Sequence, residues 1–133
     1  MNIKKVAWII FAMSCIMTGL YPIIYFTIDR KFGLLSSKSP ELLSSLPWNI
    51  AFYGHIVLGG LALLVGWIQF SNKLRQKNIS KHRTIGKVYI YTALVSGLCG
   101  LIIAQSATGG WNCRIGFTLS ALVWLSTTII ALM

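Results

Sequence analysis

Four long stretches of this chain contain no charged residue: Val6 to Ile28, Leu42 to Asn72, Val88 to Cys113 and Ile115 to Met133. Each is long enough to cross a bilayer, since a spanning helix needs about 17–25 mostly apolar residues. Inside hydrocarbon every backbone N–H and C=O must find its partner within the protein, which leaves few folds open to such a chain. The composition agrees. Of 133 residues, 56% are hydrophobic and 11% charged, against about 45–50% and about 25% in ordinary soluble domains, and the mean hydropathy is +0.72. The fold class read from this pattern is all-α, a single integral membrane helical bundle with four transmembrane spans.

The formal net charge is +10, and six of the twelve basic residues fall between Lys73 and Lys87 with no acidic residue among them. Lys4 and Lys5 precede the first span. If each run crosses once, both groups lie on one face, which the positive-inside rule assigns to the cytoplasm. The basic excess is therefore read as a topology signal and not as a nucleic-acid surface. The expectation is a bacterial cytoplasmic (inner) membrane protein with its N-terminus in the cytoplasm. Its partners are the lipid bilayer and, at the basic loop, anionic head groups, each nearby basic residue contributing about 1 kcal/mol. Arg75, His82 and Arg83 are the candidate head-group or anion contacts; a homo-oligomer or a membrane partner stays open.

The spans are expected at about 6–28, 47–70, 88–106 and 115–133, with an outer loop at 29–46 and the basic inner loop at 71–87. Pro22 is expected to kink the first span, with Tyr21 and Tyr25 near the interface. Pro47 suits a first helical turn, where proline has no hydrogen bond to lose, and Trp48 would sit at head-group level. The leucine pairs Leu34-Leu35 and Leu42-Leu43 would rest on the membrane surface. Gly86 would permit a bend before the third span, and "ATGGWNCR" reads as a tight outer turn. The last span ends "STTIIALM" without a basic or polar residue after it, so either it frays to the inner surface or a longer chain was cut. Cys15, Cys99 and Cys113 form no Cys-x-x-Cys pair and no zinc spacing, so neither a disulfide framework nor a metal site is expected.

Within "YGHIVLGGLALLVGWIQF", residues 53–70, the positions His55, Gly59, Ala62, Gly66 and Gln69 recur at intervals of four and three and share one helix face. Gly59, Ala62, Gly66 and Gln69 form a packing stripe, because small residues let helices approach and polar ones bond across the contact. The leucines of this span would face lipid. His55 has two readings. It bonds a neighbouring helix, or it marks a ligand site, the default for an ionisable residue within a span. Tyr25, Gln105, Trp111 and Arg114 are the candidate partners of such a site. A bis-histidine haem needs two histidines at one depth, and His82 is expected on the opposite side of the membrane, so one copy cannot build it.

From His55 onward, "HIVLGGLALLVGWIQF", Arg75, "KHRTIGKVYI", "GLCGLIIAQSATGG" and "GFTLSALVWLSTTIIA" together resemble the bacterial predicted membrane proteins catalogued as domain of unknown function 2306. The resemblance covers His55 to Met133, and His55, Gln69, Arg75, His82, Arg83, Gly86 and Tyr89 match its patterned positions. It implies a multi-span helical protein and brings no established activity. Members usually continue through a basic segment with His and Trp-Met-x-Arg into further helices, so the resemblance implies truncation after Met133. Two function classes remain: a binding, transport or structural membrane subunit without cofactor, or a redox component holding haem b or handling quinone through His55 and a partner outside this chain. No catalytic constellation is visible.

Overall fold

The computed structural model describes residues 2–28 and 32–132. Asp29, Arg30 and Lys31, at the start of the outer loop expected at 29–46, lie outside the described residues. The elements run α1 (Ile3–Leu20), a 3-10 turn (Tyr21–Ile23), α2 (Ile24–Thr27), a 3-10 turn (Gly33–Ser37), α3 (Pro40–Ser44), α4 (Leu46–Gly66), a 3-10 turn (Trp67–Phe70), α5 (Asn72–Lys77), α6 (Ile79–Ala104) and α7 (Gly110–Ile130). Four helical stretches are long and apolar enough to cross a membrane: Ile3–Thr27, Leu46–Phe70, Ile79–Ala104 and Gly110–Ile130. The chain is an all-α bundle of four such spans.

Pro22 breaks the regular helix of the first stretch. Lacking an N–H, it cannot bond the turn below, and the backbone tightens to 3-10 over Tyr21–Ile23 before α2 resumes. The second stretch starts with Pro47 in its first turn. The third starts earlier than charge alone suggests. Asn78 caps α6 by accepting from the Lys81 backbone N–H at 2.9 Å, and Ser71 caps α5 in the same way at 3.3 Å. The basic segment is therefore largely helical, because each cap satisfies an otherwise orphaned amide. Gly86 lies inside α6, which continues through it as helix rather than starting after it; the side chain of Gln69 lies against its open face. The turn between α6 and α7 rests on Gly109 (φ 108°) and Gly110 (φ 76°), a left-handed backbone that other residues resist.

The packed pairs are α1 with α4, α4 with α6, and α6 with α7. Small residues make them possible. Gly19 and Gly60 bring α1 and α4 together so closely that a Cβ on Gly60 would stand 2.6 Å from the Gly19 carbonyl oxygen. Gly59 meets Ser96, Gly66 meets the Tyr89 ring, and Gly97 receives Leu125 of α7. Not all leucines of α4 face outward: Leu61 does, whereas Leu64 lies against Gly19.

At the end remote from the basic segment, the loop between α2 and α4 folds inward. Leu35 (3% exposed), Trp48 (5%) and Phe52 (1%) form the most enclosed cluster, with Tyr25, Leu42 and Leu43 packed around it. The Trp48 and Phe52 rings stack at 5.1 Å, and the Trp48 indole N–H donates to Ser106 Oγ at 2.7 Å. This corrects one expectation: Leu35 does not rest on the membrane surface but plugs the bundle end, because aromatic partners offer it more contact than a surface position does. Leu34 remains about half exposed.

Candidate functional site

His55 lies about two turns inside α4, and α6 supplies what holds it. The missing side chain of Gly100 leaves room for the imidazole, whose Nδ1 would be 3.0 Å from a Cβ there. Nδ1 stands 2.9 Å from the Ser96 carbonyl oxygen. A carbonyl only accepts, so Nδ1 carries the proton and donates it. The Ser96 hydroxyl donates in return to the His55 carbonyl at 2.9 Å. The ring is thereby fixed in one tautomer and orientation, and Nε2, which makes no hydrogen bond to a described residue, keeps its lone pair.

That imidazole lines a cavity of about 830 Å³, within the range of small-molecule sites. Its walls come from all four spanning stretches and are mostly apolar: Tyr25, Phe52, Ile56, Leu63, Ala93, Ile103, Phe117, Ala121 and Trp124 contribute, with Gly59 and Gly60 forming part of the floor. Along α6 the lining runs from Tyr89 to Ala104, about 22 Å at 1.5 Å per residue. The shape is elongated. Since α1 and α7 are not among the packed pairs, the cavity lies open between them. Phe117 is 59% and Trp124 49% exposed, so this wall is reached from the surrounding lipid.

The candidate residues separate into three groups. His55 and Tyr25 share the large cavity. Gln105, Trp111 and Arg114 line a second, shallower one of about 230 Å³ with Thr118; Gln105 Nε2 donates to Thr118 Oγ1 at 3.2 Å, and the Arg114 guanidinium sits 5.6 Å over the Trp111 ring. At the basic end, Gln69 Nε2 donates to the His82 carbonyl at 3.2 Å, and His82 Nδ1 is buried without a hydrogen-bond partner among the described residues. Arg75 bonds Asn72 Oδ1 at 3.2 Å, and Arg83 is exposed. His82 lies fourteen residues before Ser96 on α6, about 21 Å along the axis, so the two imidazoles stand at different depths. Among the described residues no group of three or more His, Cys, Asp or Glu side chains is placed to hold a metal ion.

Three residues that the sequence reading did not single out complete the site. Ser96 and Gly100 belong to a ladder of small residues on α6, with Ala93, Gly97 and Ala104, whose three- and four-residue spacing was the available signal. Lys38 is the third. Its Nζ donates to the Ser106 carbonyl at 2.6 Å and to Thr108 Oγ1 at 2.8 Å, and it lines the large cavity at the capped end. Burial, followed by repulsion from Arg114, holds its pKa below the usual lysine range.

Residues 52–133 match the family described as predicted membrane protein, domain of unknown function 2306. The chain belongs to this family. The match begins at Phe52, so it takes in His55, Ser96 and Gly100, while α1 and the loop carrying Lys38 precede it. No curated protein and no solved structure matches the chain. With the family and the four apolar helices together, this DUF2306 member is an integral membrane protein.

Proposed function

We propose that this protein is a membrane-embedded binding subunit that takes a lipophilic ligand from the bilayer into the cavity between α1 and α7. The observation that carries this reading is His55, fixed through Nδ1 and lining an apolar cavity, with Nε2 left without a hydrogen bond to a described residue. An apolar cavity of this size selects a lipophilic ligand, and the lone acceptor adds affinity for one that also carries a donor group at that depth. In this reading the protein lies in a bacterial inner membrane with its N-terminus and basic segment cytoplasmic, Arg75, His82 and Arg83 meeting anionic head groups. Cys113, as the sole cysteine, then reacts with an impermeant thiol reagent on intact cells; reaction only after lysis inverts the orientation.

A protein whose tryptophans other than Trp48 are changed to Phe tests the ligand reading. Trp48 is almost completely buried and lines the cavity. A dibrominated monoacylglycerol should quench it saturably, and Ala121→Phe, which fills the cavity, should abolish saturation. Identical, unsaturable quenching in both proteins would refute the reading.

A second reading is favoured by the same imidazole. A histidine whose Nδ1–H is fixed by a carbonyl has the arrangement of an axial haem ligand, and the O–H of a reduced quinone can donate to the same free nitrogen. His82 is too distant to complete a bis-histidine site, so a haem b here takes its second ligand from another chain. Protein isolated from haem-supplied cells would then show a Soret band that His55→Ala removes. A colourless protein contradicts that reading and leaves the first standing.

A further inference from the structure

Lys38 adds a feature that apolar binding does not require. An ammonium has three donors, and two of them are engaged by the Ser106 carbonyl and Thr108 Oγ1. Both partners are neutral. Among the described residues neither Lys38 nor Arg114 forms an ion pair, and Glu41, on the same loop, is exposed and bonded within its own turn. The cavity thus carries one cation, Lys38, with a donor to spare beside walls that are almost entirely apolar, while Arg114, on the smaller cavity, is near enough to repel it. Trp48, which shares Ser106 with Lys38, precedes His55 by seven residues on α4, about 10 Å along the axis. The charged group and the imidazole therefore stand at successive depths of one elongated space.

We infer that the cavity takes an anionic amphiphile, its carboxylate or phosphate head held by Lys38 and its acyl chain running past Phe52 and His55 between α1 and α7. This inference rests on the ligand-binding reading above and names its substrate class. The head satisfies the unused ammonium donor and relieves the repulsion between Lys38 and Arg114. The roughly 22 Å of lining along α6 accommodates an extended acyl chain. A neutral amphiphile gains the apolar contacts and leaves the cations uncompensated.

The Trp48-only protein is titrated with dibromostearic acid and with the dibrominated monoacylglycerol, in neutral detergent at pH 7.5. The acid should bind about tenfold more tightly, the gain expected of one partly exposed charge-assisted contact. Lys38→Gln keeps a donor for Ser106 but loses the charge; it should remove that tenfold preference and leave the monoacylglycerol unchanged. A merely structural role for Lys38 would weaken both probes alike, and that result overturns the inference. Equal binding of acid and monoacylglycerol to the unaltered protein also overturns it, while preserving the ligand reading. Binding of neither probe by a protein that runs as a dimer would show the cavity filled by a second copy and sink both. Dibrominated phosphatidylglycerol against phosphatidylcholine distinguishes the source: a preference for the former assigns the head to a bilayer lipid, and its absence beside a fatty-acid preference assigns it to a free acid.

Discussion

At the scale of single residues, the site works by restricting what each polar group can do. Ser96 and His55 exchange hydrogen bonds across the α4–α6 contact, which leaves one nitrogen of the imidazole for a ligand. Lys38 is restrained in the opposite sense, since burial and Arg114 both disfavour its charge. Its folded pKa is lowered, so between that value and the ordinary 10.5 the unfolded chain holds a proton that the folded protein has released. Stability therefore rises with pH across that window. Below it, Lys38 is charged in both states and the cost is carried in full. Melting measured in detergent from pH 7 to 11 should show the unaltered protein gaining on Lys38→Gln as pH climbs. A constant difference between the two would mean that Lys38 feels no such penalty. Arg114 is the charged neighbour on α7, so Arg114→Gln should narrow the gain.

Among elements, helix contacts depend on glycine where two backbones meet. Gly60 and Gly19 leave no space for a methyl group between α1 and α4, whereas a Cβ on Gly116 of α7 meets nothing within 4 Å. Gly60→Ala should lower stability by about 1–3 kcal/mol, as overpacking does. Gly116→Ala should be neutral or raise stability by up to about 1 kcal/mol, because alanine is the better helix former. Equal melting temperatures for the two would show that α1 does not approach α4 as described. The same contacts explain what was legible in the sequence. Helical period alone assigns Gly59, Ala62, Gly66 and Gln69 to one face, and Gly59, Gly66 and Gln69 do contact α6 residues. It cannot say that Gly60, one position on, faces a different helix, since a residue step of about 100° changes the neighbour. Nor does it reveal that Leu35 would turn inward: hydrophobicity marks Leu34 and Leu35 alike, and only the ring faces of Trp48 and Phe52 distinguish them. The start of α6 was hidden for another reason. Charge marks where a helix leaves hydrocarbon, not where hydrogen bonding begins, and Asn78 sets the latter.

For the whole molecule, the spans pack in the order α1, α4, α6, α7, and the chain leaves the outermost two unjoined. His55 and Tyr25 were legible as partners because both sit near the same end of adjacent spans. Gln105, Trp111 and Arg114 share that end but lie around another cavity, a separation that depth along a helix cannot encode without its rotation. A pair of cysteines replacing Thr18 and Ala121 in a chain otherwise free of cysteine probes the space between α1 and α7. Both positions line the cavity, and a disulfide requires Cα atoms within about 7 Å. An oxidant should leave the pair unlinked, whereas a longer bifunctional thiol reagent should join it and abolish saturable quenching of Trp48 by the dibrominated probe. Rapid, complete disulfide formation between the two cysteines would contradict this, for α1 and α7 would then be packed together with no cavity between them.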